Sequence, residues 1–129
     1  MSATGPLATR YLEYCEAMER LVSSAQSPDD WAPLAEYVAV NEFERTGVFC
    51  EVQNWQQYIE MLTRWGGSVE RFETTVLRAT ELDHLLYYEV EERHRRGEDV
   101  HLLKSMSVVE FNDADKIRRL SIYLQQARH

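Results

Sequence analysis

The sequence predicts an α+β fold, with helices first and then a meander of antiparallel strands whose one face the helices cover. Three observations lead there. Apolar side chains recur at helical intervals in three stretches before residue 67, two of them opened by capping sequences. Residues 83–126 read as three strand-length runs joined by short polar turns. No Gly-rich loop follows a strand, which disfavours a doubly wound nucleotide-binding sheet.

In order along the chain, Thr4 to Ala25 places Leu7, Tyr11, Tyr14/Cys15, Met18, Leu21/Val22 and Ala25 on one helical face, opposite Glu13, Glu16 and Arg20. Ser27-Pro28-Asp29-Asp30 then supplies an N-cap, a proline at the first helical position and acids in the first turn. Trp31, Leu34, Ala35 and Val38 face inward from that short helix. Val38 to Arg45 is expected as the first strand, ending at Thr46-Gly47. Asn54 caps a third helix with Gln57 in the capping-box position. Its stripe is Trp55, Tyr58, Ile59, Leu62 and Trp65, and Gly66-Gly67 ends it. Val69 to Thr80 is a long strand, so the order is α-α-β-α-β-β-β-β.

The last third carries the most information. Leu85 to His94 and Val100 to Phe111 flank Arg96-Gly97-Glu98-Asp99, a hairpin signal. With Gly97-Glu98 as the two-residue turn, one face carries Leu86/Val109, Tyr88/Ser107, Val90/Ser105, Glu92/Leu103 and His94/His101. The other carries Tyr87/Val108, Glu89/Met106, Glu91/Lys104 and Arg93/Leu102. After a turn at residues 112–116, Ile117 to Gln126 returns as a strand with Leu120, Ile122 and Leu124 on one side.

A chain of 129 residues with 44% apolar and 28% charged side chains reads as one globular domain over residues 1–129. No apolar run approaches the roughly 18 residues of a membrane span, so no membrane partner is expected. The N-terminus lacks a basic segment followed by an apolar one, and Cys15 and Cys50 read as two buried thiols. Both point to a cytoplasmic protein. A net charge of −8 argues against nucleic acid as a partner. Arg93-His94-Arg95-Arg96 is flanked by five carboxylates and reads as a solvated hairpin tip. His94 and His101 pair there as wet surface residues rather than metal ligands, and no cofactor or metal is called for.

Residues 109–117, Val-Glu-Phe-Asn-Asp-Ala-Asp-Lys-Ile, resemble a turn typical of the nuclear transport factor 2-like superfamily. Arg10-Tyr11-Leu12-Glu13 and Val40 to Gly47 add support, and the resemblance spans nearly the whole chain. It extends to ketosteroid isomerases, SnoaL-like polyketide cyclases, scytalone dehydratases and limonene epoxide hydrolases. The resemblance implies a cystatin-like α+β roll: a curved antiparallel sheet wrapped around N-terminal helices, enclosing a cone-shaped apolar cavity. It also implies a homodimer through the sheet's outer face and a small apolar ligand of steroid, polyketide or terpene kind.

Matched residue by residue, Glu44 stands at the isomerases' catalytic base and Tyr11 at their first-helix tyrosine. Ser107 stands where they carry a protonated acid, a departure that substitutes a much weaker acid. Tyr88, Trp55, Tyr58, Leu120 and Ile122 are expected to line the pocket. Against the epoxide hydrolases, Asn41 and the Glu91/Arg93 pair are loose echoes, and Ile122 replaces the second acid. In SnoaL-like cyclases a residue near the pocket shuffles protons, a part open here to His94, His101 or Glu92 by position. Two functions follow: cofactor-independent isomerase, cyclase or dehydratase chemistry, or a non-catalytic dimeric binding module on the same fold.

Overall fold

The computed structural model describes residues 5–22, 24–66 and 71–126. Helix α1 (Pro6–Val22) has no acid in its first turn, so its N-terminus takes one from elsewhere. Glu81, on a distant strand, accepts hydrogen bonds from the backbone N–H groups of Leu7 (3.3 Å) and Ala8 (3.1 Å). This carboxylate satisfies two orphan donors at the positive end of the helix dipole. The same contact fixes one end of α1 against the sheet. Leu7, Ala8, Tyr11, Tyr14, Ala17 and Val22 form its buried face.

The second helical stretch, Pro28–Tyr37, is a 3-10 helix rather than an α-helix. Pro33 lies inside it, where it lacks an N–H and crowds the preceding turn. Asp30 accepts from the backbone N–H groups of Gln26 (2.8 Å) and Ser27 (3.1 Å), which closes the expected start. Trp31 and Leu34 are fully buried beneath it. Helix α2 (Trp55–Gly66) begins as expected. Gln57 N–H donates to Asn54 Oδ1 and Asn54 N–H to Gln57 Oε1, both at 2.9 Å. Gly67, the expected stop, lies outside the described residues.

Among the described residues six strands form one sheet: β1 (Glu44–Thr46), β2 (Val52–Gln53), β3 (Arg71–Leu82), β4 (Leu85–Arg96), β5 (Asp99–Phe111) and β6 (Ile117–Gln126). Their spatial order is β2-β1-β6-β5-β4-β3. Every pairing is antiparallel except β1 on β6. The expected strand over residues 38–45 shrinks to three residues, with Val38 reduced to a single bridge with Ile117. Strand β2 was not anticipated; two residues carry no periodic signal. Val69, the expected start of β3, lies outside the described residues.

The β4–β5 register runs without interruption from Leu85↔Glu110 to Arg96↔Asp99, the pairing expected from the Gly97-Glu98 turn. Gly97 sits at φ +62°, the first central position of a II′-type turn, where an L side chain is strained. Register shifts at Val76/Arg78 and Glu110/Phe111 mark bulges, which bend strands. The bent sheet lays its inner face against α1 and α2.

The turn that carried the family resemblance has a mechanical job. Asn112 Oδ1 accepts from the N–H groups of Ala114 and Lys116, both at 3.0 Å, and Asp115 adopts φ +59°. Arg10 on α1 donates to Asp115 O (2.8 Å) and Glu36 O (3.3 Å), and Lys116 Nζ also donates to Glu36 O. Turn, α1 and the 3-10 helix are thereby tied together at the closed end of the cone. Cys15 is half-buried, but Cys50 is exposed at φ +65°, contrary to the expectation of two buried thiols.

Candidate functional site

Inside the sheet's concave face lies a cavity of about 370 Å³, within the range of small-molecule sites, roughly 300–1,000 Å³. The face is the one carrying Leu86, Tyr88, Val90, Glu92 and His94 on β4 with Val109, Ser107, Ser105 and Leu103 on β5. Alternation along each strand puts these side chains on one side. Helices α1 and α2 close the other side with Tyr11, Tyr14, Met18, Tyr58, Leu62 and Trp65. Most of the wall is hydrocarbon or aromatic ring.

Polar groups gather at two places. In the interior, Tyr11 (4% exposed) donates from its hydroxyl to Ser107 Oγ (5% exposed) at 3.2 Å. The Tyr88 ring meets Tyr11 edge-on at 4.8 Å, and the buried Tyr88 hydroxyl has no hydrogen-bond partner. Tyr14 donates to the Tyr58 hydroxyl at 3.2 Å behind them. Burial pushes the Tyr11, Tyr14, Tyr58 and Tyr88 phenols above their ordinary pKa, and burial likewise raises the Cys15 thiol. Desolvation leads the causes in all five, so the site is a low-dielectric one that keeps these groups neutral.

Toward the hairpin tip, Ser105 donates to Glu92 Oε2 at 2.7 Å, and Glu92 Oε1 lies 3.1 Å from His94 Nε2. The His94 ring packs edge-on against Trp65 at 5.6 Å. Their side chains are only 15% (His94) and 20% (Glu92) exposed, so they are not the wet tip residues anticipated. His101, opposite His94 in register, is exposed and does not line the cavity. Ser105 and Ser107 are successive inward positions of β5. Two residues of extended strand separate them by roughly 7 Å, so the Glu92–His94 pair stands one side-chain step from the Tyr11–Ser107 pair.

Of the expected site residues, Tyr11, Ser107, Tyr88, Tyr58, Leu120 and Ile122 line this cavity. Glu44 does not. It pairs with Arg119 on β6, its carboxylate 4.0 Å from the Arg119 guanidinium and its side chain 46% exposed. The cause is phase: Arg45, the register partner of inward-facing Leu120, takes the inward position, so its neighbour points out. Trp55 does not line the cavity either. It packs against Phe43 (5.3 Å) and Tyr58 (6.0 Å) at the edge of the core, and Trp65, nearly three turns further along α2, lines the cavity instead.

The acid–arginine echo fails in the same way. Arg93 and Glu91 approach to 3.8 Å, but both belong to the outward set of β4. Asn41 is exposed and outside the lining. Among the described residues no group of three or more His, Cys, Asp or Glu side chains is arranged to hold a metal ion. No helix among them is long and apolar enough to cross a membrane.

A bent, mostly antiparallel sheet closed by N-terminal helices around an apolar cone defines a class: the chain has the nuclear transport factor 2-like fold. Solved structures share that fold. A candidate SnoaL-like polyketide cyclase from Shewanella denitrificans superposes with a TM-score of 0.74 over 92% of this chain and 90% of its own, at 11% identity. An LEH-like epoxide hydrolase from M. tuberculosis gives 0.66 over 91% and 84%, at 16% identity. A protein with a ketosteroid isomerase-like fold from Catenulispora acidiphila, in complex with trimethylamine, gives 0.65 over 86% and 84%, at 11% identity. No family model matches the sequence, and no curated protein matches it. At such identities the likeness establishes architecture, and function rests on the site.

Proposed function

We propose that the protein binds a small, largely apolar molecule in the cone and moves a proton on it without a cofactor, as an isomerase, cyclase or dehydratase does. The supporting observation is that a carboxylate–imidazole pair and a hydroxyl relay face the same apolar cavity one strand step apart. In this reading Glu92 accepts a proton from a carbon next to a carbonyl, steadied by the Ser105 hydroxyl. His94 Nε2–H donates to the other carboxylate oxygen, and Glu92 returns the proton to a second position on the ligand. Ser107 accepts the Tyr11 hydrogen bond, which leaves its own proton to donate to the ligand oxygen. Such a chain polarises its end donor, and the unpartnered Tyr88 hydroxyl adds a second one.

A second reading is a non-catalytic binding module. It draws on Glu44 lying off the cavity, since the carboxylate that the isomerase resemblance requires is then absent from its place. Both readings include a homodimer through the outer sheet face, where Tyr123 is 63% exposed and Leu102 and Val100 are exposed further toward the hairpin tip. A cytoplasmic setting accompanies both.

Deuterium exchange at the α-carbon of 2-tetralone, followed by NMR with fluorescence titration of the same compound, separates the two. General-base catalysis contributes about 10²- to 10⁴-fold, so Glu92→Gln should slow exchange by at least about 100-fold while binding persists. Binding without exchange above buffer would leave the module reading standing and remove the catalytic one.

A further inference from the structure

Arg45 is unused by the proton chemistry, yet it lines the cavity. Its Nη1 donates to Gln53 Oε1 at 3.0 Å and touches Met61 Sδ at 3.9 Å, and its guanidinium lies 5.1 Å from the centre of the Tyr58 ring. All three partners are neutral. Its Nε is buried without an acceptor. Among the described residues no carboxylate lies within ion-pair distance of it. Nearby Glu51 accepts from the Phe49 backbone N–H at 2.9 Å and feels Arg45 as a neighbouring charge, without an ion-pair contact. A guanidinium is always charged, and a cation turned into an apolar wall with no carboxylate in contact is costly to keep there.

We infer that Arg45 is the anchor for a carboxylate on the ligand, so that the cavity takes a small apolar acid rather than a neutral hydrocarbon-like molecule. This rests on the reading of the cone as the ligand site. Arg45 is the sole lysine or arginine among the described lining residues, which matches one negative charge better than the two of a phosphate. It stands on β1, three strands from Glu92 on β4. At strand spacing that is roughly 14 Å along the sheet, before curvature brings the walls together. The two charges therefore orient the ligand: its carboxylate goes to Arg45, away from Glu92, and its far end is delivered to the Glu92–His94 pair. The ligand so defined is a keto acid or aryl acid with its reacting carbon remote from the carboxylate.

The probes are 2-naphthylacetate and its uncharged near-isostere 2-naphthylacetamide, titrated by calorimetry at fixed salt. A charge-assisted contact should make the wild-type protein prefer the acid by about tenfold. Arg45→Gln should remove that preference while changing amide affinity by no more than about threefold, and Arg45→Lys, which keeps the charge without the planar fork, should retain part of it. Equal wild-type affinity for acid and amide overturns the inference and leaves the cavity reading intact. A preference surviving in folded Arg45→Gln also overturns it. Failure of both compounds to bind overturns the inference together with the ligand-site reading. Should Arg45→Gln not fold, the wild-type comparison and Arg45→Lys decide.

Discussion

Raising the pH tests whether the cone is dry. Four phenols, Tyr11, Tyr14, Tyr58 and Tyr88, are buried with their pKa values raised by desolvation above the ordinary 10.0. A group whose folded pKa exceeds its unfolded value contributes stability that is constant below the unfolded pKa and is lost as pH climbs toward the folded one. By pH 11 the phenols of Tyr11, Tyr14 and Tyr88 have ionised in the unfolded chain but not in the fold, so each has removed about 1.4 kcal/mol. Together these three remove about 4 kcal/mol, and Tyr58 and Cys15, raised for the same reason, add to the loss. Against a typical total of about 5–15 kcal/mol, that predicts cooperative unfolding near pH 11. The assay is urea unfolding at steps from pH 8 to 11.5, with phenolate absorbance and circular dichroism read on one sample. Stability should be flat to about pH 9 and then fall steeply, with a block of tyrosines ionising only as the dichroism is lost. Smooth titration of all tyrosines near pH 10 with the dichroism intact would refute the reasoning, because the phenols would then be in contact with bulk water.

Two further substitutions probe the frame around the site. Asn54→Ala removes one half of the reciprocal cap on α2 and should cost about 1 kcal/mol in urea unfolding, with Asn54→Gly costing only a few tenths. Ser107→Ala leaves the buried Tyr11 hydroxyl without its acceptor and should cost about 1–2 kcal/mol, whereas a joint change with Tyr11→Phe should cost less than the two single changes added together. A strictly additive pair would mean that the two hydroxyls do not communicate.

Much of this fold was legible because local chemistry specified it. A Gly at the first turn position and period-two alternation were enough to set all twelve β4–β5 partners. Asn54 and Gln57 announced α2 by the same kind of short-range rule. Glu44 was misplaced because a three-residue strand has too few residues to show its own phase. Its facing is set by parallel pairing to β6, more than 70 residues away, and a one-residue difference exchanges Glu44 for Arg45. Trp55 and Trp65 share one helical stripe, so periodicity cannot say which end of α2 meets the core and which the opening. Glu92 and His94 stood out as candidates only by position and His94 otherwise read as wet: they sit in a charged run beside a turn, and Trp65, from a separate element, packs on His94.

Three buried polar atoms among the described residues lack partners: Trp31 Nε1, Arg45 Nε and Tyr88 Oη. Each such group costs about 1–3 kcal/mol of desolvation. Trp31 does not line the cavity, and its ring is fully buried in the core, so its lost hydrogen bond is offset by the apolar area the indole removes from water. Arg45 and Tyr88 belong to the cavity wall, where an oxygen of a bound ligand can reach them. An acid with its carboxylate at Arg45 and a carbonyl at Tyr88 would recover both costs on binding, and a hydrocarbon of the same shape would recover neither. The unsatisfied wall thus selects between ligands of equal apolar area, and that difference, rather than the volume of the cone, is what gives the site its chemical identity.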